Sequence, residues 1–159
     1  MNQPAVTFRF LAEPGDVNFG GKAHGGTVMK WIDQAAYACA VGWSGRYCVT
    51  VYVGGIRFFH PVLIGDLVEV KARIIDTGTS SMHMSVDVWA RDPKGSEARK
   101  TTHCVVVFVA VNDDGKPVAV PDFEPANEVE RANQKYSRRL VELRGAIEEE
   151  MRPFQREEV

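Results

Sequence analysis

The sequence predicts an α+β domain in which an antiparallel sheet wraps around one long central helix, followed by a peripheral C-terminal helix. Three observations carry this reading. Thr27 to Ala40 has helical composition and is apolar almost all the way round, the mark of a buried helix. Arg46 to Val111 reads as four long antiparallel strands linked as hairpins by turn sequences. All the helical mass before Glu124 lies in one element, so the strands have a single helix on which to close their apolar face.

Each element has its own signals. Ala5 to Ala12 is a short strand stopped by Pro14-Gly15-Asp16. Thr27 is the expected N-cap of the central helix, because its hydroxyl can accept from a first-turn N–H. Lys30 three residues on means that no capping box forms. Gly42 and Gly45 are the expected helix end. Arg46 to Phe59 is rich in Val, Tyr and Phe, and Gly54-Gly55 in its middle marks a bulge or a place where another backbone or a ligand comes close. His60-Pro61 closes that strand and Ile64-Gly65-Asp66 turns the chain. Leu67 to Ile75 sets Val68, Val70, Ala72 and Ile74 opposite Glu69, Lys71 and Arg73. A hairpin connection over Asp76 to Ser81 leads to a strand with Met82, Met84, Val86, Val88 and Ala90 on one face. Ala98 to Val111 is the last long strand, buried on both faces or changing from polar to apolar along its length. Glu128 to Met151 is a helix whose stripe of Val129, Ala132, Tyr136, Leu140, Leu143 and Ile147 suits a surface or an oligomer contact. The domain therefore covers residues 1–121, with a helical extension over 122–159.

Composition narrows the function classes. The chain of 159 residues has 19 Lys plus Arg against 21 Asp plus Glu, a formal charge of -2. That balance gives no general attraction to nucleic acid or to an anionic membrane. The three cysteines, Cys39, Cys48 and Cys104, are widely spaced and odd in number, as expected for buried free thiols in a reduced compartment. The first residues lack a signal-peptide pattern, and the longest apolar run, Cys104 to Val111, is too short to span a bilayer. A soluble cytoplasmic protein is expected. The four histidines and three cysteines show no tight metal-ligand spacing, so no metal is expected. Neither a phosphate-binding P-loop, a dinucleotide fingerprint nor a serine-hydrolase elbow is present.

The chemistry concentrates between Asp16 and Ala40. Asp33 sits two turns into the apolar helix. It is either an exposed carboxylate near Lys30 or, since Trp31, Ile32, Ala35 and Ala36 leave little polar face, a carboxylate kept for use. In the second case it is a candidate general base or nucleophile. Upstream, His24-Gly25-Gly26 opens the helix. Glycines there let a ligand approach the backbone, and first-turn N–H groups suit an oxyanion. An ordinary flexible entry loop would carry the same glycines. His60 before its proline reads as a turn residue.

Together these residues resemble the hotdog-fold acyl-CoA thioesterases (acyl-CoA hydrolases). The resemblance covers Phe10 to Pro121. It rests on Asn18…His24-Gly25-Gly26…Lys30…Asp33, supported by Phe58-Phe59-His60-Pro61-Val62…Gly65-Asp66, Thr79-Ser80-Ser81, Val86-Asp87-Val88-Trp89 and Phe108-Val109-Ala110-Val111 before Gly115-Lys116-Pro117. It implies a homodimer with the sheets joined edge to edge, built up to a tetramer or hexamer, and active sites shared between subunits. It also implies roles. Asp33 is the catalytic acid of the central helix, and Asn18 positions water or substrate. The Gly26 N–H, with Gly25 beside it, polarises the thioester carbonyl while His24 assists. Ser80 and Ser81 line the coenzyme A channel. His60 departs from the arginine that many relatives carry before this proline. No cofactor is implied, since coenzyme A is part of the substrate.

The expectation is hydrolysis of fatty acyl-CoA to free acid and coenzyme A, with Asp33 as general base or nucleophile. An acyl-carrier-protein thioesterase and a non-catalytic acyl-CoA-binding module are the alternatives. Dehydration is disfavoured, because hotdog dehydratases usually place a histidine on or near the helix and here position 33 is Asp.

Overall fold

The computed structural model describes residues 2–155 and divides into two units, the first ending at Phe123 and the second starting at Glu124. The first contains β1 (Ala5–Leu11), a single 3-10 turn (Pro14–Asp16), α1 (Gly25–Ser44), β2 (Cys48–Phe58), β3 (Leu67–Thr77), β4 (Ser81–Arg91) and β5 (Arg99–Ala110). The second is built on α2 (Glu128–Gln155). Among the described residues no helix is long and apolar enough to cross a membrane.

The five strands form one antiparallel sheet in the order β1-β3-β4-β5-β2, and α1 lies across one face against all of them. The inward positions follow the period-two pattern: Val68, Val70, Met82, Met84, Val86 and Val106 are fully or almost fully buried. Each such side chain contributes about 1.5–3 kcal/mol on leaving water. On α1, Ala35, Ala36, Cys39 and Ala40 are 0% exposed, so small side chains let the helix sit close to the sheet. The helix is not enclosed all round as its composition suggested. Met29, Lys30, Gln34 and Tyr37 are exposed along its other side.

Three local expectations are corrected. The helix starts at Gly25, with His24 rather than Thr27 as N-cap, because His24 holds an extended backbone (φ -58, ψ 138) and its carbonyl accepts the Val28 N–H at 3.0 Å. At the other end Gly45 alone is the cap, left-handed at φ 66 and donating to the Val41 carbonyl, while Gly42 is inside the helix. The strands are not all hairpin-linked, since β2 runs on the far edge beside β5 and the chain crosses the sheet before β3. The two-glycine interruption of β2 is a bulge, with register shifts between Thr50 and Tyr52 and between Gly54 and Arg57. A side chain at Gly54 would meet the Tyr52 ring at 2.4 Å, so the group that comes close there is a neighbouring side chain rather than another backbone or a ligand.

The connection after β2 is pinned by an ion pair between a buried carboxylate and a half-buried guanidinium. Asp66 is buried, accepts the Leu63 N–H at 2.9 Å and pairs with Arg99, whose guanidinium also donates to the Pro61 carbonyl at 3.1 Å. Residues 61 to 66 are thereby held against the start of β5. On the sheet face away from α1, Asp87 accepts from His103 Nδ1 at 2.7 Å and from Lys100 Nζ at 2.8 Å. Burial alone pushes its carboxyl up, but the His103 bond and the Lys100 charge outweigh that and hold it below the usual range. A depressed carboxyl stabilises the fold above its unfolded value of about 3.9, and the gain is lost as pH falls through the lower folded value. Asp87→Asn is therefore expected to lower the urea midpoint at pH 7, with the gap to wild type closing as pH falls through the depressed folded value.

Candidate active site

The loop from Asp16 to His24 folds back on itself around Asn18. The Asn18 N–H donates to the Lys22 carbonyl at 2.6 Å, the Gly21 N–H donates to the Asn18 carbonyl at 3.1 Å, and Gly21 takes a positive φ of 76. The side-chain Oδ1 of Asn18 accepts from the N–H of Gly20 (2.8 Å) and of Lys22 (3.2 Å). With its oxygen occupied in this way, the Asn18 amide has its NH₂ left to offer a ligand. Ala23 donates to the Val62 carbonyl at 2.8 Å, which ties the loop to the segment pinned by Asp66 and Arg99.

The helix that follows starts without intrahelical acceptors for the N–H groups of Gly25, Gly26 and Thr27, because those acceptors would lie outside it. A Cβ added at Gly26 would meet nothing within 4 Å, and one at Gly25 only the Phe58 ring at 3.7 Å. Backbone donors and open space thus coincide at the positive end of a 20-residue helix.

Two cavities flank this helix start, and they divide the sequence-predicted residues. One, of about 340 Å³, is lined by Asn18, Lys22, Gly25, Phe58, Phe59 and His60, with Thr102 behind. The other, of about 390 Å³, has Gly26, Lys30 and Asp33 on its helical wall and Met29, Ile32, Val53, Ile56 and Val106 as apolar surface. Within one chain, then, Gly26 sits with Asp33, whereas Gly25 sits with Asn18. His24 is exposed and lines neither cavity. Ser80 and Ser81 are half-buried at the β3–β4 hairpin and also line neither. The register that pairs Ser81 with Val109, and Val109 with Val49, sets the Ser81 side chain on the sheet face away from α1. The Ser81 hydroxyl is 3.4 Å from His83 Nε2.

Asp33 is half-buried and makes no ion pair with Lys30. Its Oδ1 accepts the hydroxyl proton of Thr50 at 2.7 Å, across from α1 to the edge strand β2. That contact leaves Oδ2 for a proton or an electrophile and fixes the carboxylate plane. Thr50 did not emerge from the sequence. Its one signal was position, a polar residue on the same strand parity as buried Cys48, between Val49 and Val51. His60 lies in the Asn18 cavity, although its place before a proline suggested only a turn residue.

Burial pushes the thiols of Cys39 to about 12 and of Cys104 to about 11, so both stay protonated at neutral pH and neither is a nucleophile. Cys48 is buried too and raised in the same direction. No cluster of three or more His, Cys, Asp or Glu able to hold a metal occurs among the described residues.

A half-buried, oriented carboxylate in an apolar cavity beside free helix-start donors is equipment for acyl chemistry, and comparison with known proteins agrees. A family model described as the Thioesterase superfamily matches residues 20–97. Acyl-CoA thioester hydrolase YciA of Escherichia coli (strain K12) is 36% identical over 123 residues, 75% of this chain and 92% of its own. The chain belongs to the hotdog-fold acyl-CoA thioesterases. It is accordingly a thioester hydrolase. Among solved thioesterases, an apo-hexameric acyl-CoA thioesterase matches with a TM-score of 0.86 at 29% identity, over 89% of this chain and 91% of that one. The acyl-CoA hydrolase of Staphylococcus aureus, solved with butyryl coenzyme A, coenzyme A and coenzyme A disulfide, matches with a TM-score of 0.86 at 29% identity, over 94% and 92%. That staphylococcal thioesterase has also been solved with an asparagine, an aspartate and a threonine each replaced by alanine. Those three positions are 15 and 17 residues apart, the separations of Asn18, Asp33 and Thr50.

Proposed function

We propose that this thioesterase hydrolyses fatty acyl-CoA to the free acid and coenzyme A at a site completed by two chains. The observation that carries the reading is the Thr50–Asp33 hydrogen bond, which orients a carboxylate on the wall of an apolar cavity that begins at Gly26. The acyl chain lies against Met29, Ile32, Val53, Ile56 and Val106, and the thioester carbonyl oxygen accepts the Gly26 N–H. Asp33 takes a proton from the attacking water, whose oxygen bonds the carbonyl carbon as the thiolate leaves. On the other route Asp33 attacks the carbon itself, expels the thiolate and forms an anhydride that water then cleaves.

Asn18 belongs to the other cavity of its own chain, which favours a site in which Asn18 of the partner subunit holds the water for Asp33. The surface for such pairing is β2, at the sheet edge with Val51, Val53, Phe58 and Phe59 exposed. Two sheets joined there bring the Asn18 cavity of one copy towards the Asp33 cavity of the other, and the hexameric thioesterase it resembles supports further assembly of such dimers. Ser80 and Ser81 then serve coenzyme A bound against a neighbouring copy, with His24 at the channel edge. Three buried free thiols suit the cytoplasm.

Release of free thiol from acyl-CoA of graded length tests the reading, with acyl-carrier protein as the competing donor. Turnover of acyl-CoA supports it, whereas binding without turnover sinks it. Thr50→Val keeps the shape and removes the bond to Asp33. A hydrogen bond to a charged group is worth about 1.5–3 kcal/mol, so kcat is expected to fall by about 10- to 100-fold, with Thr50→Ser retaining most activity.

A further inference from the structure

The second unit offers an observation that the active site does not use. The apolar residues of α2 recur as Val129, Ala132 and Tyr136, then Leu140, Leu143 and Ile147, then Met151 and Phe154, an 11-residue repeat. Such a repeat runs at about 3.67 residues per turn and keeps a stripe straight along a nearly ideal helix. The stripe is bare. Val129, Leu143, Ile147, Met151 and Phe154 are between 44% and 90% exposed. The helix is also well formed: Asn127 Oδ1 caps the Glu130 N–H at 2.9 Å, and Arg139–Glu142 and Arg144–Glu148 pair along the surface.

We infer that this face is a contact between copies of the chain, with α2 packed antiparallel on α2 of a second copy about a two-fold axis at Leu140. The stripe is self-complementary about that point. Reversed on itself, it sets Val129 opposite Met151, Ala132 opposite Ile147, Tyr136 opposite Leu143, and Leu140 opposite Leu140. The charges follow the same axis. Up to Arg139 the helix has Arg131, Lys135, Arg138 and Arg139 against Glu128 and Glu130, a net +2. From Leu140 on it has Glu142, Glu148, Glu149 and Glu150 against Arg144 and Arg152, a net -2. An antiparallel pair lays the basic half on the acidic half, with Arg131 facing Glu148 and Glu149, and Glu128 facing Arg152. A parallel pair lays like on like. An anionic bilayer is the poorer occupant, since α2 has six basic and six acidic residues and its polar face is not cationic.

The experiment cross-links full-length protein with a short bis-maleimide, with wild type as the background because its three cysteines are buried. Leu140→Cys is expected to give covalent dimers on a denaturing gel. So is the double variant Val129→Cys/Met151→Cys. Val129→Cys or Met151→Cys alone should give none, because each residue lies about 33 Å from its own copy along the pair. Dimers from Val129→Cys alone would mean a parallel pair and overturn the inference. So would a lack of product from both Leu140→Cys and the double variant. Sedimentation of charge variants gives an independent reading that leaves the stripe intact. Arg131→Glu and Glu148→Arg/Glu149→Arg are each expected to weaken assembly, and their combination to restore it. Assembly unchanged in all three, or binding of α2 to anionic vesicles in place of self-association, counts against the pairing. The active-site residues are untouched throughout, so thioester turnover reports separately on the proposed reaction.

Discussion

Asp33→Ala is expected to abolish most thioester turnover while leaving the protein folded. The proposed role of the carboxylate, as base or nucleophile, is worth about 10²–10⁴ in rate. Its surroundings say that the loss falls on kcat. Asp33 is fixed by one bond to Thr50, faces an apolar cavity and holds no ion pair with Lys30, so little of the fold depends on it. A half-buried side chain with one neutral partner costs little to truncate, and the thermal midpoint is expected to stay close to wild type. Stopped-flow thiol release from acyl-CoA checks the rate, and circular dichroism checks the fold. Asp33→Asn refines the test, because it keeps the shape and the Thr50 contact but can neither take a proton nor form an anhydride. It should be as inactive as the alanine variant. Full turnover in either variant removes Asp33 from the reaction.

Gly26→Pro is the second large effect. Proline is tolerated in a helix's first turn, where its missing N–H has no intrahelical acceptor to lose. Here that N–H is the proposed donor to the carbonyl oxygen. Removing one such donor costs about 10²–10³ in kcat. Gly26→Ala is the control, since it keeps the N–H and a Cβ there meets nothing within 4 Å. The alanine variant should retain most activity and the proline variant should not. Equal losses in the two would point to crowding of the substrate rather than to the donor.

Period and turn chemistry made much of this fold legible. Alternation in β3 and β4 named their buried faces correctly, and the glycine pair in β2 marked a real bulge. Alternation does not say which strand lies beside which, and so the path of β2 to the far edge was out of reach. The apolar composition of α1 overstated its enclosure, because part of its apolar surface, Met29 and Tyr37 among it, is exposed in the single chain. Asp33 stood out as a carboxylate without a polar face. Thr50 did not, because a threonine in a strand is ordinary until the fold brings it to a carboxylate 17 residues away in sequence. Nor does linear order separate Gly25 from Gly26, adjacent residues that the helix turns towards different cavities.

The claim that each site needs two chains is tested most directly by complementation. Asn18→Ala and Asp33→Ala, each nearly inactive alone, are co-expressed in equal amounts. If Asn18 of one chain serves Asp33 of the other, every mixed dimer contains one intact site and one doubly broken site. Random pairing should then restore about one quarter of wild-type turnover per chain. Turnover no higher than the average of the two separate variants would place the whole site within a single chain and contradict the account.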